Sequence, residues 1–258
     1  YGGVDRGIVA HGYAAWAWTF LGHPDRGLER MSETLLLARS LSQPASLAYA
    51  HGMAVNLYVA RREPRRVQQL AEALGALATE HELPYFLAVA KVHRGWALAM
   101  EGAPADGISE IRSGLDLYVE TGSERDLPGY LALLAEALAR AGRPAEGIEV
   151  LAKSACDGFA RRSEESALRR LMGELLLQRS ENDADEAEKW FRSAITIARS
   201  QGAKWFELRA TTDLARLLRW RGRRHAAASL LAEINGWFTE GFETIDLKQA
   251  RALLDELS

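Results

Sequence analysis

The stretch Glu101–Ile111, EGAPADGISEI, contains the skeleton Gly-x-Pro-x-x-Gly, which appears three times in the chain. Its copies occupy Gly22–Gly27, Gly102–Gly107 and Gly142–Gly147, with separations of 80 and 40 residues. A glycine just past a helix can take the left-handed conformation that closes the helix, and a proline fits the first position of the next one. The skeleton therefore predicts a hinge between two helices. Its second glycine falls inside the second helix, at a cost of about 1 kcal/mol, which close approach of a neighbouring backbone would offset.

Steps of 40 residues keep one register along the whole chain. The positions equivalent to Pro24 are Pro64, Pro104, Pro144, Ala184 and Arg224. Those equivalent to Met31 are apolar, namely Ala71, Ile111, Leu151, Phe191 and Leu231. Between the hinges, apolar residues recur at helical spacing, and no stretch predicts a strand. A phosphate-binding glycine loop is the alternative interpretation of the skeleton, but such loops follow a strand and carry more glycines.

A single helix pair cannot bury both of its apolar faces, so successive pairs are expected to stack. We predict an all-α fold, a right-handed α-solenoid of about six helix pairs with a capping helix, as the 40-residue period indicates. The whole chain, 1–258, would form one such array. The predicted repeats are residues 4–43, 44–83, 84–123, 124–163, 164–203 and 204–245, and the cap is 246–258.

Two sets of residues resemble known repeat proteins. The small–large–small spacing of Ala187, Phe191 and Ala194 resembles the tetratricopeptide repeat (TPR), and the Gly–Pro hinge favours this type over HEAT-type repeats. The stretches GELLL (Gly173–Leu177), WFELRATTDLARLL (Trp205–Leu218) and GWFTEGFETIDLKQARALLDEL (Gly236–Leu257) resemble the C-terminal TPR-like region of large bacterial signalling proteins.

In those proteins a cyclase-like or other regulatory domain and a STAND/AAA-type ATPase precede the helical array. The resemblance implies a sensor or scaffold segment. It brings no cyclase or ATPase chemistry to this chain, which has no Walker-type Gly-Lys-Ser/Thr and no paired metal-binding aspartates after a strand. Because the chain starts at Tyr1 rather than Met, we expect a piece of a longer protein. Because no polar cap precedes Tyr1, we also expect more helices upstream.

The composition favours a soluble, cytoplasmic protein. A net charge of −3, from 32 basic and 35 acidic residues, gives no footprint for nucleic acid, and the apolar runs are too short for a membrane span. The single cysteine, Cys156, excludes an internal disulfide.

His11 and His51 are one repeat apart, which indicates copies of one repeat position rather than a pair of metal ligands. We predict no cofactor and no metal.

Residues of the first helix in each pair are the candidates for a binding groove, because that helix lines the concave face of such arrays. The predicted partner-binding residues are Trp16, Tyr49, Asn56, Trp96, Glu136, Arg169, Arg209 and Arg216. This groove would be aromatic in its N-terminal half and positively charged in its C-terminal half, complementing a peptide with an apolar and an acidic segment. In the alternative, the tryptophans belong to the core and the arginines are merely solvated.

Arg94 and Glu174 stand where other repeats have alanine or leucine, so either this position is only half-buried or the two charges find partners in neighbouring repeats. Structural pairing is favoured over contact with a ligand. Together these patterns predict a non-enzymatic protein-interaction and regulatory module. Its partner would be a protein or peptide, for example an ATPase or cyclase domain of the same polypeptide. A small-molecule sensor with a pocket near Trp16, Asn56 and Trp96, and a structural scaffold that forms oligomers, are the alternatives.

Overall fold

A computed structural model describes residues 3–156 and 164–258. This part of the chain contains 13 α-helices, one short 3-10 helix and no strand, which confirms the predicted all-α fold of repeated helix pairs. The helices are α1 (Arg6–Phe20), α2 (Pro24–Ser40), α3 (Pro44–Ala60), α4 (Pro64–Glu80), α5 (Pro84–Met100), α6 (Pro104–Glu120), α7 (Leu127–Arg140), α8 (Pro144–Cys156), α9 (Glu165–Arg179), α10 (Ala184–Ser200), α11 (Lys204–Trp220), α12 (Arg224–Asn235) and α13 (Ile245–Leu257). The 3-10 helix, Glu181–Asp183, lies between α9 and α10.

The hinges follow the predicted chemistry. Six helices begin at a proline, at position 24, 44, 64, 84, 104 or 144. The glycine before the hinge proline has a positive φ, 98° at Gly22, 103° at Gly102 and 73° at Gly142. Arg62, which replaces this glycine in the second repeat, also takes the left-handed conformation, with φ of 59°. The backbone conformation of the hinge is therefore repeated even where the residue is not.

The contacts between Cα atoms divide the chain into two compact units. Unit 1 comprises Tyr1–Ala17 and Arg26–Phe159, and unit 2 comprises Trp18–Asp25 and Ala160–Ser258. In unit 1, α5 packs against α4, α6 and α7 around a core that includes Leu74, Trp96 and Ile111. In unit 2, α10 packs between α9 and α11, and α11 also packs against α12 and α13. One uninterrupted array over the whole chain stays a prediction.

Two glycines let α5 and α6 approach closely in unit 1. A Cβ atom added to Gly95 would lie only 2.6 Å from the carbonyl oxygen of Gly107 and 2.8 Å from the amide nitrogen of Ile111. Gly107 is the second glycine of the skeleton in Glu101–Ile111. Close approach of a neighbouring backbone, expected from the sequence as the reason for this glycine, is thus confirmed at this position.

The first hinge of the chain packs against the C-terminal segment within unit 2. The backbone N–H of Gly241 donates to Oδ2 of Asp25 at 2.8 Å, and the backbone N–H of Asp25 donates to Oε1 of Glu240 at 3.1 Å. The rings of Phe20 and Phe206 lie 4.8 Å apart. Sequence reasoning limited contacts to neighbouring helix pairs, and this part of it is wrong: here residues from the first and last repeats are directly bonded.

Along the described ranges, no helix is long and apolar enough to cross a membrane.

Candidate functional site

The predicted aromatic half of the groove lies in unit 1 and is mostly buried. Trp96 is 2% exposed, and its indole N–H donates to Oε2 of Glu136 at 2.7 Å. Tyr49 is also buried, whereas Trp16 is half-buried and donates its indole N–H to the carbonyl of Met53 at 2.9 Å. The sequence placed Trp96 and Tyr49 on an accessible groove, and the structure corrects this, because the neighbouring helices already cover both rings. A partner could reach them only after unit 1 opened.

Asn56 belongs to a polar cluster inside unit 1. Its side chain donates to the carbonyl of Gly52 at 2.9 Å and lies 3.2 Å from Nε2 of His93. Nδ1 of His93 donates to the carbonyl of Val89 at 2.7 Å, and burial lowers the pKa of His93 to about 4, so the ring is neutral at physiological pH. The ring of Tyr130 stands edge-on to that of His93 at 5.6 Å, and burial raises the pKa of Tyr130 well above its usual value. These contacts join α3, α5 and α7, and they indicate a structural role.

The predicted positive half of the groove lies in unit 2, where each arginine has a carboxylate partner. Arg169 pairs with Glu165 at 2.8 Å, Arg209 with Asp246 at 3.7 Å, and Arg216 with Asp213 at 2.7 Å. Arg219 of α11 likewise pairs with Glu256. The positive charge of this surface is therefore largely neutralised by carboxylates of the protein. The pairing argues against the prediction that the surface binds an acidic segment of a partner.

The two charges that interrupt apolar repeat positions are both paired inside the protein. Arg94 contacts Glu110 at 2.7 Å, and Glu174 contacts Arg170 at 2.7 Å. Arg170 is buried and also donates to Asp213 at 2.7 Å. Both positions are paired with charged groups of the protein, as the sequence favoured over ligand contact, but these partners lie in the same repeat, and for Glu174 on the same helix, rather than in the neighbouring repeats that were predicted.

Unit 2 contains a cavity of about 370 Å³ between α9 and α11. Its lining residues are Glu174, Leu177, Gln178, Glu181, Phe191, Asp213, Arg216, Leu217 and Trp220. Phe191 of α10 is fully buried, whereas Trp220, the last residue of α11, is 58% exposed. Cavities of this volume, apolar with a few polar groups, are typical of binding sites. We call this cavity and its lining the α9–α11 groove.

A glycine shapes the α9–α11 groove. A Cβ atom at Gly173 would lie 2.6 Å from the ring of Phe191, so only glycine leaves room for that ring beside α9. This position lies directly before Glu174, the start of the lining on α9. The stretch GELLL (Gly173–Leu177) is one of those that resemble the repeat region of bacterial signalling proteins. In the structure its glycine is explained by the packing of Phe191 against α9.

The α9–α11 groove coincides with the hinge that departs most from the repeat. Asn182 stands where four of the other five repeats have glycine, and Ala184 stands where four of them have proline. Instead of a left-handed closure, the chain forms the 3-10 helix Glu181–Asp183, in which the hydroxyl of Ser180 accepts from the backbone N–H of Asn182 at 3.2 Å. This turn places Glu181 in the lining.

Of the eight sequence-predicted site residues, only Arg216 lines this groove. Sequence reasoning missed Trp220 and Glu181. One signal for Trp220 was present: a tryptophan followed by arginine directly before the hinge glycine, in Trp220–Gly222, is an unusual place for an apolar ring. Glu181 gave none, because its position depends on how the 3-10 helix forms.

Unit 1 has a broader cavity of about 690 Å³ along α6. Its lining is mostly polar, with Lys91, Arg112 and Arg143 as cations and with Asp116 and Glu120 as carboxylates. Nζ of Lys91 donates to the hydroxyl of Ser113 at 2.9 Å. This lining has no aromatic side chain, so it offers less than the α9–α11 groove for anchoring a partner.

The described residues contain no group of three or more His, Cys, Asp and Glu side chains that could hold a metal ion. His51 is buried, and no described residue forms a hydrogen bond with either of its ring nitrogens. The side chain of Cys156 lies outside the described residues.

Comparisons with known proteins give limited similarity. No protein-family model matches the chain. The chain is 26% identical over 229 residues to an uncharacterized protein of Rhizobium meliloti (strain 1021), an alignment that covers 84% of this chain and 21% of that protein. The chain thus spans about a fifth of the length of that relative. Among solved structures, a Podospora anserina protein described as a kinesin light chain with nearly identical TPR-like repeats aligns at 16% identity and a TM-score of 0.49, covering 83% of this chain and 98% of that one.

Proposed function

We propose that this chain is a non-catalytic protein-binding repeat module, and that it holds a peptide or helix of its partner in the α9–α11 groove of unit 2. The observation that carries the proposal is Trp220, an aromatic ring 58% exposed beside a cavity of about 370 Å³. Large aromatic side chains that line a pocket contribute a large share of the binding energy in protein interfaces. The buried ring of Phe191 gives the pocket a rigid apolar floor.

The groove is suited to a partner side chain because its two walls are helices of successive repeats. Leu177 of α9 and Leu217 of α11 line it from opposite sides, with Trp220 at the end of α11. Leu217 is already buried, so an apolar side chain entering between them would remove Leu177 and Trp220 from water, at about 25 cal/mol per Å² of buried apolar surface. A partner held in this way fixes the spacing of α9 and α11.

The cellular role follows from the resemblance to bacterial signalling proteins. We propose that the module acts in the cytoplasm, within a larger polypeptide, and that its partner is a segment of another protein or of an attached ATPase or cyclase domain. Fixing the spacing of α9 and α11 would then favour one conformation of the module and change the activity of the attached domain. The much greater length of the Rhizobium meliloti relative supports this context.

A small-molecule sensor is the second candidate function, and one observation favours it. Glu174, Asp213 and Arg216 converge on the same cavity whose floor is Phe191, an arrangement found in sites for small ligands. A thermal-shift screen against metabolites would distinguish the two functions, since a sensor would be stabilised by a small molecule alone.

A display library of random short peptides, selected on the purified chain, tests the protein-binding function. Trp220→Ala should weaken binding of the selected peptides about tenfold or more, as for an interface hot spot. The matched control is Phe242→Ala, which removes an aromatic ring of unit 2 that is 44% exposed and lies outside the groove lining. Failure to select any binder, or equal affinity of the two variants, would contradict the proposal.

A further inference from the structure

We propose that the occupant of the α9–α11 groove carries a lysine or arginine next to its apolar anchor, and that Glu181 receives this cation. The inference rests on the proposed function and reverses the partner charge that the sequence suggested. It follows from the ion pairs of the lining, from the direction of the two helices that form the groove, and from the exposed ring of Trp220.

The lining has an excess of negative charge. It contains three carboxylates, on Glu174, Glu181 and Asp213, and one cation, on Arg216. Arg216 is engaged, since its guanidinium donates to Asp213 at 2.7 Å and to the side chain of Gln249 at 3.0 Å. It therefore has little capacity to attract an acidic ligand.

Two of the three carboxylates are also engaged. Asp213 lies between Arg216 and the buried Arg170, and Glu174 shares Arg170 with it, each at 2.7 Å. Glu181 differs from both. Its residue is exposed, and within the described ranges its carboxylate forms no ion pair or hydrogen bond. A cation entering the groove would find this one carboxylate ready to pair.

The direction of the helices strengthens the preference for a cation. Leu177 and Gln178 lie in the last turn of α9, and Leu217 and Trp220 lie in the last turn of α11. Both helices thus present their C-terminal ends, which carry the negative end of the helix dipole, to the same cavity. An anion would meet unfavourable electrostatics from both walls.

The ring of Trp220 can bind both parts of such a side chain. The aliphatic stem of lysine or arginine packs well on an aromatic ring, and its charged head is attracted to the face of tryptophan. The exposed position of Trp220 in the same lining as Glu181 allows one side chain to contact both. The groove thereby selects a basic, amphipathic segment of a protein and disfavours acidic segments.

The probes for the test are the tightest library-selected peptide and two versions of it, with every lysine and arginine replaced by glutamine or by glutamate. The wild-type chain should bind the basic peptide about two- to fivefold more tightly than the glutamine version, as expected for one partly exposed ion pair, and the glutamate version more weakly still. Glu181→Gln should reduce this preference, and Glu181→Lys should reverse it in favour of the glutamate version. Glu186→Gln, an exposed charge change on α10 outside the lining, should leave it unchanged.

Selected peptides without basic residues, or an unchanged preference in Glu181→Lys, would overturn the inference. The two proposals fail separately. If Trp220→Ala still weakens binding while Glu181→Lys has no effect, the groove binds proteins but does not select a cation. If Trp220→Ala has no effect, the groove itself is not the binding surface.

Discussion

The indole N–H of Trp96 donates to Oε2 of Glu136 at 2.7 Å, and these two residues occupy the same position in successive repeats, 40 residues apart. The sequence predicted both side chains as part of a surface that binds a partner. They instead form a hydrogen bond with each other, and Trp96 is only 2% exposed. Equivalent positions of neighbouring repeats can therefore be contact pairs, which makes their side chains part of the stability of unit 1.

Replacement of Trp96 by phenylalanine keeps an aromatic ring and removes the donor. Because Glu136 is half-buried and loses its bond, we expect the free energy of unfolding to fall by about 1–2 kcal/mol. Urea unfolding measures this change. Trp220→Phe is the matched control, since that tryptophan is exposed, and an equal loss in both variants would show that the Trp96 bond adds nothing.

Gly95→Ala tests the close approach of α5 and α6. The new methyl group would lie 2.6 Å from the carbonyl oxygen of Gly107, a backbone atom that cannot simply rotate away, so we expect a loss of about 2 kcal/mol or more. At Gly75 a Cβ atom would lie 3.6 Å from the Cβ atom of Ala90, an ordinary contact. Gly75→Ala should therefore stabilise its helix by about 0.5–1 kcal/mol. Thermal unfolding that moves in the same direction for both variants would contradict this account.

The bond between Asp25 and Gly241 joins the two ends of the sequence within unit 2. Asp25→Ala removes the acceptor of the Gly241 N–H, so we expect faster hydrogen exchange at that amide and a loss of about 1–2 kcal/mol. Asp106→Ala is the control, because it also removes a carboxylate from the first turn of a helix and thereby matches the change at the helix dipole. Equal exchange rates at Gly241 in the two variants would argue against the bond.

His51 makes stability depend on pH. Burial, with a smaller contribution from Arg39, lowers the pKa of His51 from its usual 6.5 to about 4. Between about pH 6.5 and 4, His51 is protonated in the unfolded chain but neutral in the folded one. The free energy of unfolding therefore falls as the pH drops through this range, by up to about 3 kcal/mol for this group. Above about 6.5 the group has no effect, since both states are neutral.

His51→Leu should flatten this part of the acid unfolding curve. Its two ring nitrogens form no hydrogen bond with the described residues, so the substitution loses no such bond at neutral pH. The matched control is leucine in place of the exposed His225. Urea titrations at several pH values give the comparison, and parallel curves for wild type and His51→Leu would show that His51 protonates as readily in the folded state.

The local features of the fold could be predicted from the sequence because they depend on neighbouring residues. Pro24, Pro104 and Pro144 begin helices in the structure, and the glycines before them take left-handed conformations. The close packing of Gly107 could also be predicted, because a glycine inside a helix costs about 1 kcal/mol relative to alanine and close approach of a neighbouring backbone can offset this cost. These rules act within a few residues and return with each repeat.

The candidate site could not be predicted, because it depends on partners far apart in the sequence. In the lining of the groove, Asp213 pairs with Arg170 across 43 positions, and Arg216 donates to Gln249 across 33. A repeat pattern cannot tell whether a charged side chain meets another or remains solvated. Likewise, the presence of Asn182 in place of glycine weakens the expected hinge but does not reveal that a 3-10 helix will carry Glu181 into the groove.

The most direct test of the account is to watch Trp220 during binding. With 5-fluorotryptophan in the chain, the ¹⁹F resonance of Trp220 can be assigned from the signal lost in Trp220→Phe and then followed as a selected basic peptide is added. We expect the Trp220 resonance to shift until the groove is saturated, while that of the buried Trp96 stays in place. A peptide that binds without moving the Trp220 resonance would contradict the assignment of the α9–α11 groove as the binding surface.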